Sequence, residues 1–320
     1  MSAPVVVVGD ALLDVDVEGR VERTSPDAEV PVLDVTREIV RPGGAGLAAV
    51  LLAAQGVPVT FVSALADDDS GARLRVLLDR ALTLVDGPAT GGTVVKCRWR
   101  CAERPLLRTD KGLGEPAARF ADRVVPALAG AVERAGAVLV SDYGRGVAAN
   151  PGVRAVLADA VRRGTPVVWD PHPRGPEPVP GVRIATPNLA EAARAAGRSR
   201  AGAARLEAGT VGRRLLGLWA CAAVAVTTGE RGAVLARPRT RCVTVGAPRV
   251  RGGDPCGAGD AFAGRLAALL ADGARLDDAV RGAVESAAGF VGGGGAGTVD
   301  WDGAGWRQVR ASVPVGAAAR

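Results

Sequence analysis

Val5-Val6-Val7-Val8-Gly9-Asp10 is a run of β-branched residues without polar alternation, stopped by a glycine and a carboxylate. A strand with one wet face alternates apolar and polar residues. A strand apolar on both sides is buried on both, as in parallel sheets covered by helices. Comparable short runs recur at 57–64, 137–141, 167–170, 183–186 and 222–228. The intervening segments, rich in Ala, Leu and Arg, have helical spacing over 46–55, 72–82, 116–135, 151–163, 189–195 and 210–219, followed by 260–270 and 276–290. Strands alternating with helices predict an α/β fold with a mostly parallel sheet and helices on both faces. Ligands of such sheets bind beyond the carboxyl ends of the strands.

Two segments interrupt this rhythm. Residues 29–40 (EVPVLDVTREIV) and 93–107 (TVVKCRWRCAERPLL) read as exposed strands with partial polar alternation, inserted between α/β units. A small β-sheet lid that excludes water from a site is the economical explanation. Two structured loops are the alternative. Residues 292–297 read as a glycine-rich loop and 312–320 as a frayed tail.

The chain has 320 residues and a formal net charge of +6, but its arginines are dispersed and aromatics make up only 3%. Without a basic stripe or stacking side chains, nucleic acid is not the expected partner; small anionic substrates are. The cysteines, at 97, 101, 221, 242 and 256, have no metal-site spacing and suit reduced thiols in a cytoplasm. No basic region or cleavage site precedes the first strand, so no signal peptide is expected. No apolar run is long enough to span a bilayer, and no membrane partner is expected.

Chemistry concentrates in Asp254-Pro255-Cys256-Gly257-Ala258-Gly259-Asp260. Glycines at alternate positions permit close backbone approach, and a helical run follows at once. Backbone N–H groups at a helix N-terminus bind anions. A carboxylate there, Asp260, suits a base that takes a proton from a hydroxyl while the amides hold developing phosphate charge. It equally suits a helix cap. Asp254 reads either as an Asx residue that initiates the turn or as a carboxylate that shapes the phosphate and cation surroundings.

Thr186-Pro187-Asn188-Leu189-Ala190-Glu191 follows a strand and has capping-box spacing; the same oxygens suit a hydrated Mg²⁺ or nucleotide phosphates. Thr227-Thr228-Gly229-Glu230-Arg231-Gly232 reads either as a hairpin turn or as a loop at the edge of a nucleotide site. Asp10 and Asp14 follow the first strand. Arg41-Pro42-Gly43-Gly44-Ala45 precedes a helix and can present bare backbone to a polyhydroxylated ligand. His172 is the one histidine and sits in the proline-rigid Asp170-Pro171-His172-Pro173-Arg174. Neither GxxxxGK[ST] nor a GxGxxG after a strand is present, which removes the ordinary ATPase and dinucleotide fingerprints.

Taken together, RPGGA, TPNLAE, TTGERG and DPCGAGDAF, in that order, resemble the signatures of the PfkB (ribokinase-like) carbohydrate kinase family. The resemblance runs over nearly the whole chain. It implies a three-layer α/β/α sandwich with a small β-sheet lid, in a single domain over 1–320 with lid inserts at about 15–42 and 88–112. Within the family, VVVVGDALLDVDVEGRVERTSPDAEVPVLDV, LLRTD and VLVSDYGRG are similar to bacterial heptose-phosphate kinases. In two-activity members of that group a nucleotidyltransferase domain follows the kinase, and only the kinase half is expected here.

By this resemblance Asp260 is the catalytic base and Gly257, Ala258 and Gly259 form the anion hole. Asp14, Gly43, Gly44 and Asp142 are implied as sugar-binding. Asn188 and Glu191 match the magnesium–phosphate motif, with Glu191 meeting the metal through water. Thr228, Gly229 and Gly232 match the nucleotide-side loop, with Gly297 near the adenine-side turn. ATP and Mg²⁺ are the implied cosubstrate and cofactor, with a sugar or sugar phosphate as acceptor and a homodimer through the lid. Four positions depart from the pattern. Leu47 stands where the first signature has Asn, Cys256 where the second has Thr, His172 where heptose kinases have Lys, and Ser286 where an Asn is common.

Overall fold

The computed structural model describes residues 2–101, 104–197, 207–301 and 305–308. The valine run becomes β1 (Val5–Gly9), buried throughout. Successive side chains leave a strand on opposite faces. Val5 and Val7 accordingly enter one apolar cluster, and Val6 and Val8 enter the other.

The central sheet runs β14 (Val243–Val245), β13 (Ala233–Ala236), β12 (Val224–Thr227), β11 (Ile184–Ala185), β10 (Val167–Asp170), β9 (Ala137–Ser141), β1, β4 (Val59–Leu65), β5 (Thr83–Thr90), β8 (Glu115–Pro116). From β12 to β5 every pairing is parallel; β13, β14 and β8 add antiparallel edges. On the Val5 side lie α1 (Ala45–Ala54), α2 (Asp69–Asp79), α7 (Ala258–Ala271) and α8 (Leu276–Gly292). On the Val6 side lie α3 (Phe120–Glu133), α4 (Pro151–Arg162), α5 (Leu189–Ala195) and α6 (Ala208–Trp219). This is the predicted three-layer α/β/α architecture. No described helix is long and apolar enough to cross a membrane.

The second sheet has the order β3 (Pro31–Gly44), β2 (Ala11–Thr24), β6 (Val95–Cys101), β7 (Arg104–Lys111). β2 and β6 are parallel, and the other two pairings are antiparallel. Residues 93–107, expected as one strand, divide between β6 and β7. The long strand β2 was not expected, although Leu13, Val15 and Val17 alternate with Asp14, Asp16 and Glu18 in the period-2 pattern of a half-buried strand. The supposed glycine-rich loop over 292–297 holds the end of α8 and a 3₁₀ turn, Gly295–Thr298. The tail at 312–320 lies outside the described residues.

Candidate active site

The site lies along the carboxyl ends of β1, β9, β10, β11 and β12, where α7 begins. Gly257 is the N-cap of α7 at φ 82°, a left-handed conformation that favours glycine. A Cβ there would come 2.9 Å from Leu47 Cδ2. Asp254 Oδ1 accepts the Cys256 N–H at 2.9 Å, so Asp254 is the turn-forming Asx residue. The Ala296 N–H donates to the Cys256 carbonyl at 2.9 Å and ties the 3₁₀ turn that carries Gly297 to this loop. A Cβ at Gly259 or Gly297 would meet nothing within 4 Å, so the space beside both is open.

Asp260 occupies the first turn of α7 and is only 5% exposed. Burial pushes its carboxyl up to about 7; the Tyr143 hydrogen bond opposes this, Asp14 reinforces it and Lys96 opposes it. The Tyr143 hydroxyl donates to the carboxylate, 2.9 Å from Oδ1 and 2.8 Å from Oδ2. Tyr143 sits on a loop fastened by Asp10, whose carboxylate accepts the N–H groups of Tyr143, Arg145 and Val147 at 3.0 Å each. Asp142 is buried behind this loop, with Oδ1 accepting the Gly144 N–H at 2.8 Å, and burial raises its pKa to about 7.

The second sheet turns a charged face toward Asp260. Cross-strand partners share a face, and the register aligns Arg41, Asp14, Lys96 and Asp110 in one row and Asp16, Arg98 and Arg108 in the next. Arg98 donates to Asp14 Oδ1 at 3.2 Å, and Arg108 is bidentate to Asp110 at 2.8 and 2.7 Å. Lys96 is held below its ordinary pKa, chiefly by burial. The opposite face, with Leu13, Val15, Val17 and Val95, joins the core. Gly43 lets Asp14 approach the backbone, because a Cβ there would fall 2.5 Å from Asp14 Oδ2. Gly44 caps α1.

At the other end, Asn188 and Glu191 form a full capping box on α5. Asn188 Oδ1 accepts the Ala190 and Glu191 N–H groups at 3.0 Å each, and Glu191 Oε2 accepts the Asn188 N–H at 2.9 Å. Asp170, which closes β10, feels the charge of both Glu191 and Asp260. Burial and then the Glu191 charge push its pKa well up, with Asp260 adding to the effect. The Thr228–Gly232 segment joins β12 to antiparallel β13, so it is a hairpin turn, with Thr228 Oγ1 donating to the Gly232 carbonyl at 3.0 Å. It abuts the Asn188 motif through a Thr227 N–H to Pro187 carbonyl bond of 3.0 Å.

The four departures have distinct surroundings. Leu47 is 2% exposed and packs against Gly257. Cys256 Sγ lies 3.8 Å from Arg98 Nη2. His172 stacks on Tyr143 with ring centroids 6.4 Å apart, and burial then Arg174 push its pKa down to about 4, so it is neutral at pH 7. Ser286 is half-buried on α8. Reading residues singly missed Tyr143, Asp170, Lys96, Arg98 and the clasp made by Asp10. Asp170 had a signal, a carboxylate ending a buried strand. Gly257→Ala is expected to strain the left-handed cap and push on Leu47, lowering thermal stability by about 1–2 kcal/mol and impairing turnover; a melting curve and a turnover assay check both.

Residues 131–302 match the family model of the pfkB family carbohydrate kinases. A bifunctional protein HldE of Streptomyces coelicolor is 45% identical over 92% of this chain and 62% of its own length. Another, of Acidiphilium cryptum, is 36% identical over 87% of this chain and 58% of its own. The chain thus spans about three-fifths of the curated relatives it matches. Among solved structures, Arabidopsis thaliana ribokinase complexed with ribose and ATP superposes with a TM-score of 0.64 at 20% identity, covering 91% of this chain and 93% of that one. Escherichia coli phosphofructokinase-2 in complex with fructose-6-phosphate gives 0.64 at 18%, covering 91% and 94%. With the fold shared along nearly its whole length and the family model matched over more than half of it, the chain belongs to the pfkB family of carbohydrate kinases.

Proposed function

We propose that the chain transfers the γ-phosphoryl group of ATP to the anomeric hydroxyl of D-glycero-D-manno-heptose 7-phosphate. The observation that carries phosphoryl transfer is the buried Asp260 carboxylate in the first turn of α7, beside the amides of the Gly257–Asp260 turn. Asp260 takes the acceptor proton as the sugar oxygen bonds to the γ-phosphorus. The bond from that phosphorus to the β–γ bridging oxygen breaks, ADP leaves, and the amides hold the charge on the transferring oxygens.

Asp14, Gly43, Gly44 and Asp142 would bind the sugar. Lys96, Arg98 and Arg108 offer positive charge on the same side, which favours an acceptor that already carries phosphate. The resemblance to heptose-phosphate kinases and the 45% identity to a bifunctional protein HldE support the heptose. A panel of sugars and sugar phosphates in a coupled assay tests it: turnover on another acceptor, with none on the heptose phosphate, rejects the heptose. Leu47 favours that second reading, because an aliphatic side chain cannot hydrogen-bond a sugar hydroxyl.

Asn188, Glu191, Thr228, Gly229, Gly232 and Gly297 would line the nucleotide side. Asp170 and Glu191 are two half-buried carboxylates, and the charges of Glu191, Asp260 and Asp142 all help to raise the pKa of Asp170, a negative potential that suits a hydrated Mg²⁺. Glu191 would hold the ion through water, and the ion would offset the phosphate charge. A homodimer through the second sheet belongs to the same reading; that sheet exposes Val35 and Leu107.

Asp260 acts as a base only when ionised, and burial raises its pKa to about 7. The kcat/KM for the acceptor is therefore expected to rise as pH increases through about 7 and to level off above it. A pH–rate profile checks this, and a flat profile from pH 6 to 8 contradicts it.

A further inference from the structure

Tyr143 is the one tyrosine in the chain, and its hydroxyl spends its hydrogen bond on the carboxylate assigned to proton abstraction. The bond spans both oxygens, at 2.9 and 2.8 Å, which is the approach an acceptor hydroxyl needs. The backbone beneath it is fixed, because Asp10 accepts the N–H groups of residues 143, 145 and 147. The ring stacks near-parallel on His172, with centroids 6.4 Å apart, and the Lys96 ammonium lies 5.3 Å from its centroid. Because the phenol oxygen lies on the Cβ–Cγ axis, the hydroxyl leaves the carboxylate only when χ1 turns the whole ring out of these contacts.

We propose that Tyr143 is a positioning residue that latches Asp260: its hydroxyl stands in for the acceptor hydroxyl, keeps water off the base, and is displaced when the sugar binds. The inference rests on the reading of Asp260 as general base. In the latched state the carboxylate already accepts a proton donor, so a water at the γ-phosphate has no base to activate it. An acceptor sugar brings further contacts that offset the lost hydrogen bond; a lone water does not. The latch would thus limit wasteful ATP hydrolysis and reduce apparent acceptor affinity by the fraction of molecules latched.

Tyr143→Phe tests this without changing the ring. At alkaline pH, where Asp260 is ionised, sugar-independent ATP hydrolysis is expected to rise at least about tenfold. The acceptor KM is expected to fall by about tenfold, because no hydroxyl competes for the base. Unchanged hydrolysis together with an unchanged KM overturns the latch. A second measurement uses unmutated protein with its single tyrosine isotope-labelled at the phenol carbon, giving one NMR signal. That signal is expected to shift when the acceptor saturates the protein and to be shifted without ligand in Asp260→Ala, which removes the oxygens the hydroxyl donates to. A signal that ignores a bound acceptor overturns the proposal. The hydrolysis measurement needs no sugar, so the two readings fail separately. Hydrolysis by Tyr143→Phe without turnover on any sugar removes the acceptor assignment alone. Wild-type turnover on a sugar with a silent Tyr143→Phe removes the latch alone.

Discussion

Asp260→Asn is expected to lower acceptor-dependent ATP turnover by about 10²–10⁴-fold, the usual contribution of a general base. The side chain keeps its size, and its carbonyl oxygen still accepts the Tyr143 hydroxyl, so the loop over 142–147 stays in place. Stability should not fall. Burial raises the Asp260 pKa from 3.8 to about 7, so the folded protein binds this proton more tightly than the unfolded chain does. The carboxylate therefore favours folding at low pH, and that contribution is lost as pH rises from about 4 through about 7. Asparagine has no charge to bury, and at pH 8 the variant should melt at or above the wild-type temperature. A coupled assay and a melting curve read both effects. Acceptor-dependent turnover within about tenfold of wild type would remove Asp260 from the base role.

Arg41→Ala is expected to cost about 3–5 kcal/mol of folding stability, the usual result of leaving one member of a buried ion pair alone. Arg41 is 1% exposed and Asp16 is 3% exposed, and the Arg41 guanidinium donates directly to the Asp16 carboxylate. Arg98 lies 3.9 Å from the other Asp16 oxygen, too far for a hydrogen bond that would replace the lost one. Exchanging the pair for apolar residues, Arg41→Met with Asp16→Leu, should recover most of the loss, because no charge is then buried. Urea denaturation of the single and double variants tests this; a single variant within about 1 kcal/mol of wild type contradicts it. Activity should suffer in both, because Asp14 is the cross-strand partner of Arg41 and Arg98 faces Asp16 across β2 and β6.

The sequence-level expectations succeeded where the signal is a local period. The unbroken valines of β1 and the apolar runs of β9, β10 and β12 announced strands buried on both faces. The helix after Gly257 was legible from glycine spacing and the apolar run behind it. The capping box of Asn188 and Glu191 was legible from a three-residue offset, and it is present; its added role at a metal stays part of the proposed function. The strand β2 was missed although its Leu13, Val15 and Val17 alternate with Asp14, Asp16 and Glu18; what the carboxylates face is set by the pairing with β3 and β6.

Asp260 shows the division most clearly. Its place in the first turn of a helix, beside amides able to hold an anion, followed from the residues around it. What touches its carboxylate did not, because Tyr143 is 117 residues away in the chain. The loop that delivers Tyr143 is held by Asp10, whose bonds cross 133, 135 and 137 residues. Periodicity and capping are set by neighbours within a few positions, so the chain alone determines the layers, the strand direction and the helix that carries the base. Which side chains converge on that base depends on the pairing of β1 with β9 and of β2 with β6, and a pairing across the chain leaves no local pattern to read.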